Sequence, residues 1–130
     1  MKKYENFTKA LHNLQDVNVY KEPYDNVTLT GLVALYSICF EQAWKAMKEC
    51  LEEQGYLEEK LGSPRSIIKT AYKAGMIEDE EAWIGALLAR NNVAHAYNQG
   101  IALKIIEDVK SKYLDLLEEL HKNMEENWLG

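Results

Sequence analysis

Between Leu32 and Leu51 the chain repeats apolar side chains at three- and four-residue intervals: Leu32, Leu35, Tyr36, Cys39, Phe40, Ala43, Trp44, Met47, Cys50 and Leu51. This spacing follows the 3.6-residue turn and lays one wide apolar stripe along a helix that Gly55 ends. At about 27 residues that helix is roughly 40 Å long, at 1.5 Å per residue. A stripe of such length and width cannot be buried by one partner, so the expected fold is a helical bundle with this element as its spine.

The rest of the chain supplies the partners. Tyr4, Phe7, Leu11 and Leu14 mark a first helix running to about Val17. Residues 18–27, with Pro23, break it, and Asn26 or Thr28 is the expected cap of the spine. After a short polar piece, Ser63-Pro64 reads as an N-cap followed by proline at the first helical position, and Gly75 as the stop of a short helix from Pro64 to Ala74. Asp79, Glu80 and Glu81 put negative charge at the start of a helix that carries Trp83, Ala86 and Leu87. Asn91-Asn92 predicts a break after it, since asparagine side chains compete for backbone hydrogen bonds. From about Asn98 a last helix buries Ile101, Ile105, Ile106, Val109, Tyr113, Leu116, Leu117, Leu120 and Met124, and turns Glu107, Asp108, Lys110, Lys112, Glu118 and Glu119 to water. With no β pattern and no repeat, the expectation is one all-α domain over residues 1–130: an antiparallel four-helix up-and-down bundle with an extra short helix, with apolar surface to spare for a homodimer.

Charge and motif content narrow the function. No stretch approaches the ~18 to 20 apolar residues of a membrane span, and Met-Lys-Lys-Tyr-Glu-Asn is followed by no apolar leader, so neither export nor a membrane is expected. Cys39 and Cys50 lie roughly 16 Å apart along one helix and cannot pair within the chain; free thiols on its apolar side fit a reducing, cytoplasmic setting. The formal net charge of −6 argues against a broad nucleic-acid surface, so any such contact must be local. Paired Glu-x-x-His motifs, clustered Cys and His, Gly-rich phosphate loops and Gly-x-Ser-x-Gly are all missing from the sequence, so neither a metal nor another cofactor is expected. His12 and His121 read as solvated surface residues.

Chemically dense residues gather in Arg90-Asn91-Asn92-Val93-Ala94-His95-Ala96-Tyr97. Arg90 comes seven residues after Trp83, so its stem continues that apolar face and its guanidinium emerges at the edge. Five residues separate Arg90 from His95, about 140° on a continuous helix, so one ligand reaches both only if the helix breaks at the asparagines or if two chains contribute. On residue types alone the simpler account is that Arg90 pairs with a core carboxylate while His95 caps or packs.

The order Arg-x-x-x-x-His-x-Tyr, with asparagine directly after the arginine, resembles the signature of the HEPN superfamily of small helical bundles. More closely, the chain is similar to the HEPN subfamily called nucleotidyltransferase substrate-binding proteins, the helical partners of minimal nucleotidyltransferases in toxin–antitoxin pairs. The residues that carry this run along most of the sequence: Phe40-Glu41-Gln42-Ala43-Trp44-Lys45 with Lys48, Leu51 and Gly55, then Ser63-Pro64-Arg65, Gly75, Trp83 and the segment from Arg90 to Tyr97.

The resemblance implies a metal-independent endoribonuclease working at a dimer cleft. In that reading His95 is the general acid or base, its ordinary pKa near 6.5 suiting proton transfer at neutral pH. Arg90 grips the phosphate through two parallel hydrogen bonds, and Asn91 orients phosphate or imidazole. Arg65, Lys69 and Lys73, at i, i+4 and i+8, form a positive row that either guides an RNA backbone or is a solvated lysine face. Tyr97 is the implied acceptor of AMP from the partner enzyme, or else it packs. The alternative the resemblance offers is a non-catalytic subunit that presents a nucleotide or other substrate to the nucleotidyltransferase, with Arg90 and His95 as anion ligands.

Overall fold

The spine forms as its periodicity dictates: α2 (Asn26–Glu53) is a 28-residue helix with Leu32, Tyr36, Phe40, Ala43, Met47 and Leu51 all buried. The structure, a computed structural model, describes residues 1–57 and 62–130. Part of the polar piece expected before Ser63 lies outside them. The cap of α2 is neither Asn26 nor Thr28 but Asp25, whose carboxylate accepts the Thr28 N–H at 2.8 Å and the Thr28 hydroxyl at 3.0 Å. Asn26 is already inside the helix, and only Asp25 has the extended backbone from which a side chain reaches back to the first turn. The Thr28 backbone bond, then the hydroxyl, hold the Asp25 carboxyl below its ordinary pKa.

The first helix, α1 (Lys2–Leu14), is shorter than expected; it tightens into a 3-10 turn at Gln15–Val19, which still buries Val17. Short helix α3 (Pro64–Lys73) follows the Ser63-Pro64 signal, with Ser63 and Ser66 capping each other reciprocally. Gly75 takes φ +81°, a left-handed conformation that glycine adopts without steric cost as the helix ends. Helix α4 (Glu80–Asn91) is capped by Asp79, which accepts from the Ala82 N–H at 2.9 Å.

The last helix is not one regular rod. Helix α5 (Gln99–Asp108) starts where expected, capped by Asn98, but a π turn at Val109–Tyr113 separates it from α6 (Leu114–Asn127). Ile101 and Leu116 end only half-buried, whereas Asp108, expected in water, is tucked down to 18% exposure and paired with Lys104 at 3.1 Å. Lys110, also expected in water, folds back to the hydroxyl of Tyr24 at 2.7 Å and the carbonyl of Tyr20.

Cross-helix contacts fix the directions. The Lys3 N–H meets Glu49 at 3.1 Å, and α1 faces α6 through Tyr4 to Glu125, Thr8 to His121 and Gln15 to Glu118, so α1 is antiparallel to both. Helices α2 and α5–α6 run the same way, Tyr36 stacking on Tyr113 and Tyr56 meeting Trp128 farther along. Helix α4 lies across α2, where the Tyr36 hydroxyl donates to the Ala86 carbonyl at 2.6 Å and Trp83 packs on Phe40. The result is the expected all-α up-and-down bundle, with α3 as the extra short helix.

Cys39 and Cys50 are free and buried. Burial pushes their thiols to about 12 and about 11, which makes them inert packing residues. No helix among the described residues is long and apolar enough to cross a membrane.

Candidate functional site

The predicted break after α4 is present: the helix ends at Asn91, residues Asn92–His95 wind as a 3-10 turn, and α5 begins after Asn98. Arg90 sits on the last turn of α4, on the side that carries Trp83. Its guanidinium carbon lies over the ring of Phe40, 5.6 Å from the ring centre, in cation–π range. One terminal nitrogen forms an ion pair with Glu41, and Nε donates to the Asn91 side-chain oxygen at 3.2 Å. The Arg90 side chain is 23% exposed.

Glu41 also lies 3.5 Å from Lys45. Partial burial pushes the Glu41 carboxyl upward, but the nearby Trp44 indole, Arg90 and Lys45 together hold it below its ordinary value. A carboxylate depressed in the folded state stabilises the fold above its unfolded pKa, and that contribution disappears as pH falls through the folded value. Acid titration of Glu41→Gln, followed by thermal melts, is therefore expected to show a flatter loss of stability below the ordinary carboxylate range than the parent chain; equal slopes would remove the Arg90–Glu41 pair from the acid response.

His95 is exposed, and Tyr97 is 86% exposed, their ring centres 6.4 Å apart at 65°. The structure thus makes two groupings: Arg90 with Asn91, Glu41 and Lys45, and His95 with Tyr97. Asn91 holds the guanidinium rather than the imidazole. Arg65, Lys69 and Lys73 stand exposed on α3, away from its buried Ile67, Ile68 and Ala71. No hydrogen bond or ion pair among the described residues ties that row to Arg90 or His95.

Glu41 escapes a reading from residue types, although the sequence carries a signal: it directly follows the core residue Phe40, the position from which a carboxylate meets an arginine emerging over that ring. His121 corrects another expectation. It is not a solvated residue but stacks on Tyr4 at 4.9 Å, meets the edge of Phe7 and bonds the Thr8 hydroxyl at 2.8 Å, joining α6 to α1. Among the described residues no three His, Cys, Asp or Glu side chains gather where a metal would be held.

Fold and site together define an all-helical domain that displays a cation-anchored polar cluster and an exposed phenol where α4 gives way to α5. The chain belongs to the family described as nucleotidyltransferase substrate binding protein like, whose model matches residues 2–126. A Thermus thermophilus protein of known crystal structure superposes with a TM-score of 0.80 at 28% identity, over 91% of this chain and 98% of that one. A Haemophilus influenzae protein, described as revealing the fold of a substrate binding domain of a nucleotidyltransferase, superposes with a TM-score of 0.71 at 17% identity, over 95% of each chain. No curated protein matches the sequence.

Proposed function

We propose that the chain is the substrate-binding partner of a minimal nucleotidyltransferase, and that the segment from Arg90 to Tyr97 is the surface it presents to that enzyme. The observation that carries this is the placement of Tyr97: a phenol 86% exposed, beside an exposed imidazole, on the turn that follows Arg90. Large aromatic side chains normally bury most of their surface, and a phenol this exposed on a loop is open to recognition or modification. In the reaction with the partner the Tyr97 oxygen attacks the α-phosphorus of ATP, pyrophosphate leaves, and the phenolic proton passes to a base. Arg90 supplies positive charge, and both Arg90 and His95 offer hydrogen bonds to the phosphate. Mixing the chain with a minimal nucleotidyltransferase from the same genome and ATP is expected to give a stable complex on size-exclusion chromatography and the mass of one adenylate, absent in Tyr97→Phe. Failure of both would end this reading; a complex without adenylate would leave Tyr97 as a contact residue only.

The endoribonuclease reading stands second, favoured by one observation, the exposure of His95 where an RNA ribose could meet it. It asks more of the molecule. Arg90 must release Glu41, and a homodimer must bring a second turn close to the first, with the α3 row guiding the strand. Chelator-resistant RNA cleavage that vanishes in His95→Ala would move it to first place.

A further inference from the structure

Gly85, Leu88, Ala89 and Asn92 mark the side of α4 turned toward α5, away from the side that carries Trp83 and Arg90. Between the two helices lies a cleft of about 530 Å³, within the range of small-molecule sites. Its walls are apolar: Leu88, half exposed, and Ala89 face Ile101 and Ile105. Asn92 and Asn98, at the two ends of the turn that holds His95 and Tyr97, form one rim, and the Lys104–Asp108 pair forms another.

Tyr113 supplies the observation that points to a ligand. The residue is only 6% exposed and its ring is stacked on Tyr36, yet its hydroxyl faces this cleft and has no hydrogen-bond partner among the described residues. The hydroxyl opens to solvent through the cleft, so its hydrogen-bonding capacity is kept for whatever enters there. The hydroxyl has room because residue 85 is glycine: a Cβ there would stand 3.0 Å from the oxygen. Tyr113 also closes the π turn that interrupts α5–α6, a distortion concentrated at functional sites.

We propose that this cleft binds a neutral, flat heterocycle of nucleobase or nucleoside size, its faces between the apolar walls and its hydrogen-bonding edge on the Tyr113 hydroxyl. Neutrality follows from the rim, where Lys104 and Asp108 cancel each other, leaving no net charge to hold a phosphate. The Arg90 guanidinium, paired with Glu41, is on the opposite side of α4. Because Asn92 and Asn98 connect the cleft to the presented turn, this deepens the substrate-binding reading and rests on it: the site names the class of substrate brought to the partner enzyme.

The test uses adenosine, guanosine, cytidine and uridine, titrated at millimolar concentration into the full chain and followed by protein NMR. Saturable shifts at Gly85, Leu88, Ile105 and Tyr113 are expected with at least one of them, and AMP should bind no more tightly than adenosine. Tyr113→Phe, which keeps the ring packing, is expected to weaken binding about tenfold, the worth of one buried hydrogen bond. Leu88→Ala, at a half-exposed position outside the buried core, should weaken it a few fold. No saturable shift with any nucleoside, shifts confined to other residues, or unchanged affinity in Tyr113→Phe would overturn the proposal, and much tighter binding of AMP would overturn its neutrality. No partner enzyme is needed, so this result is separate from the complex-formation test above.

Discussion

Trp83→Ala is expected to cost about 3–5 kcal/mol of folding stability, the range for deleting a fully buried indole. The side chain is 1% exposed and is among the largest that the core encloses completely. It packs on Phe40 with ring centres 6.0 Å apart, and with the Tyr36 hydroxyl on Ala86 it forms the joint between α4 and the spine. The surrounding atoms belong to different helices and cannot all follow the missing ring, so a cavity term adds to the lost transfer energy. Denaturant unfolding measures the effect. Trp83→Phe should cost distinctly less, because most of the volume stays. A loss under about 1 kcal/mol in Trp83→Ala, the level of an ordinary point substitution, would show that α4 is held mainly by its other side, through α5. The substitution also bears on the site: Arg90 is two turns along the same side of α4, and its guanidinium rests on the ring that Trp83 supports.

How far this architecture can be read from the sequence depends on which interactions are local. The stripe on α2, the Ser63-Pro64 start, the Gly75 stop and the break at Asn91-Asn92 are all set within a few residues, so spacing and turn chemistry reveal them. Asp25 escapes notice as a cap because neighbouring residues also have capping side chains, and only backbone conformation chooses among them. The π turn leaves little trace, since Ile105, Val109, Tyr113 and Leu117 keep four-residue spacing whether the helix is regular or locally widened. His121 reads as surface because its partners, Tyr4, Phe7 and Thr8, lie at the far end of the chain. The cleft is least legible of all: Gly85 and Tyr113 have no reason to be read together until α4 and α5 are side by side.

The same limit explains Glu41, and it leads to a series that separates a structural arginine from a ligand-binding one. Inorganic pyrophosphate is the suitable probe, because it offers oxyanions and no ring for the cleft. Arg90→Ala is expected to weaken pyrophosphate binding by about tenfold to a hundredfold, the equivalent of the roughly 1.5–3 kcal/mol that a hydrogen bond to a charged group contributes. Arg90→Lys should recover little of it, since an ammonium keeps the charge but not the planar fork. Glu41→Gln is the informative member: the carboxylate that now occupies one terminal nitrogen is also the anion that a ligand must displace. Removing its charge should tighten pyrophosphate binding while lowering stability, opposite signs from one substitution. A purely structural Arg90 predicts instead that Arg90→Ala and Glu41→Gln both destabilise and that neither alters affinity. Isothermal titration alongside denaturant unfolding reads both quantities. If Glu41→Gln weakens binding, the ion pair is positioning the guanidinium for its ligand rather than competing with it, and the displacement model fails.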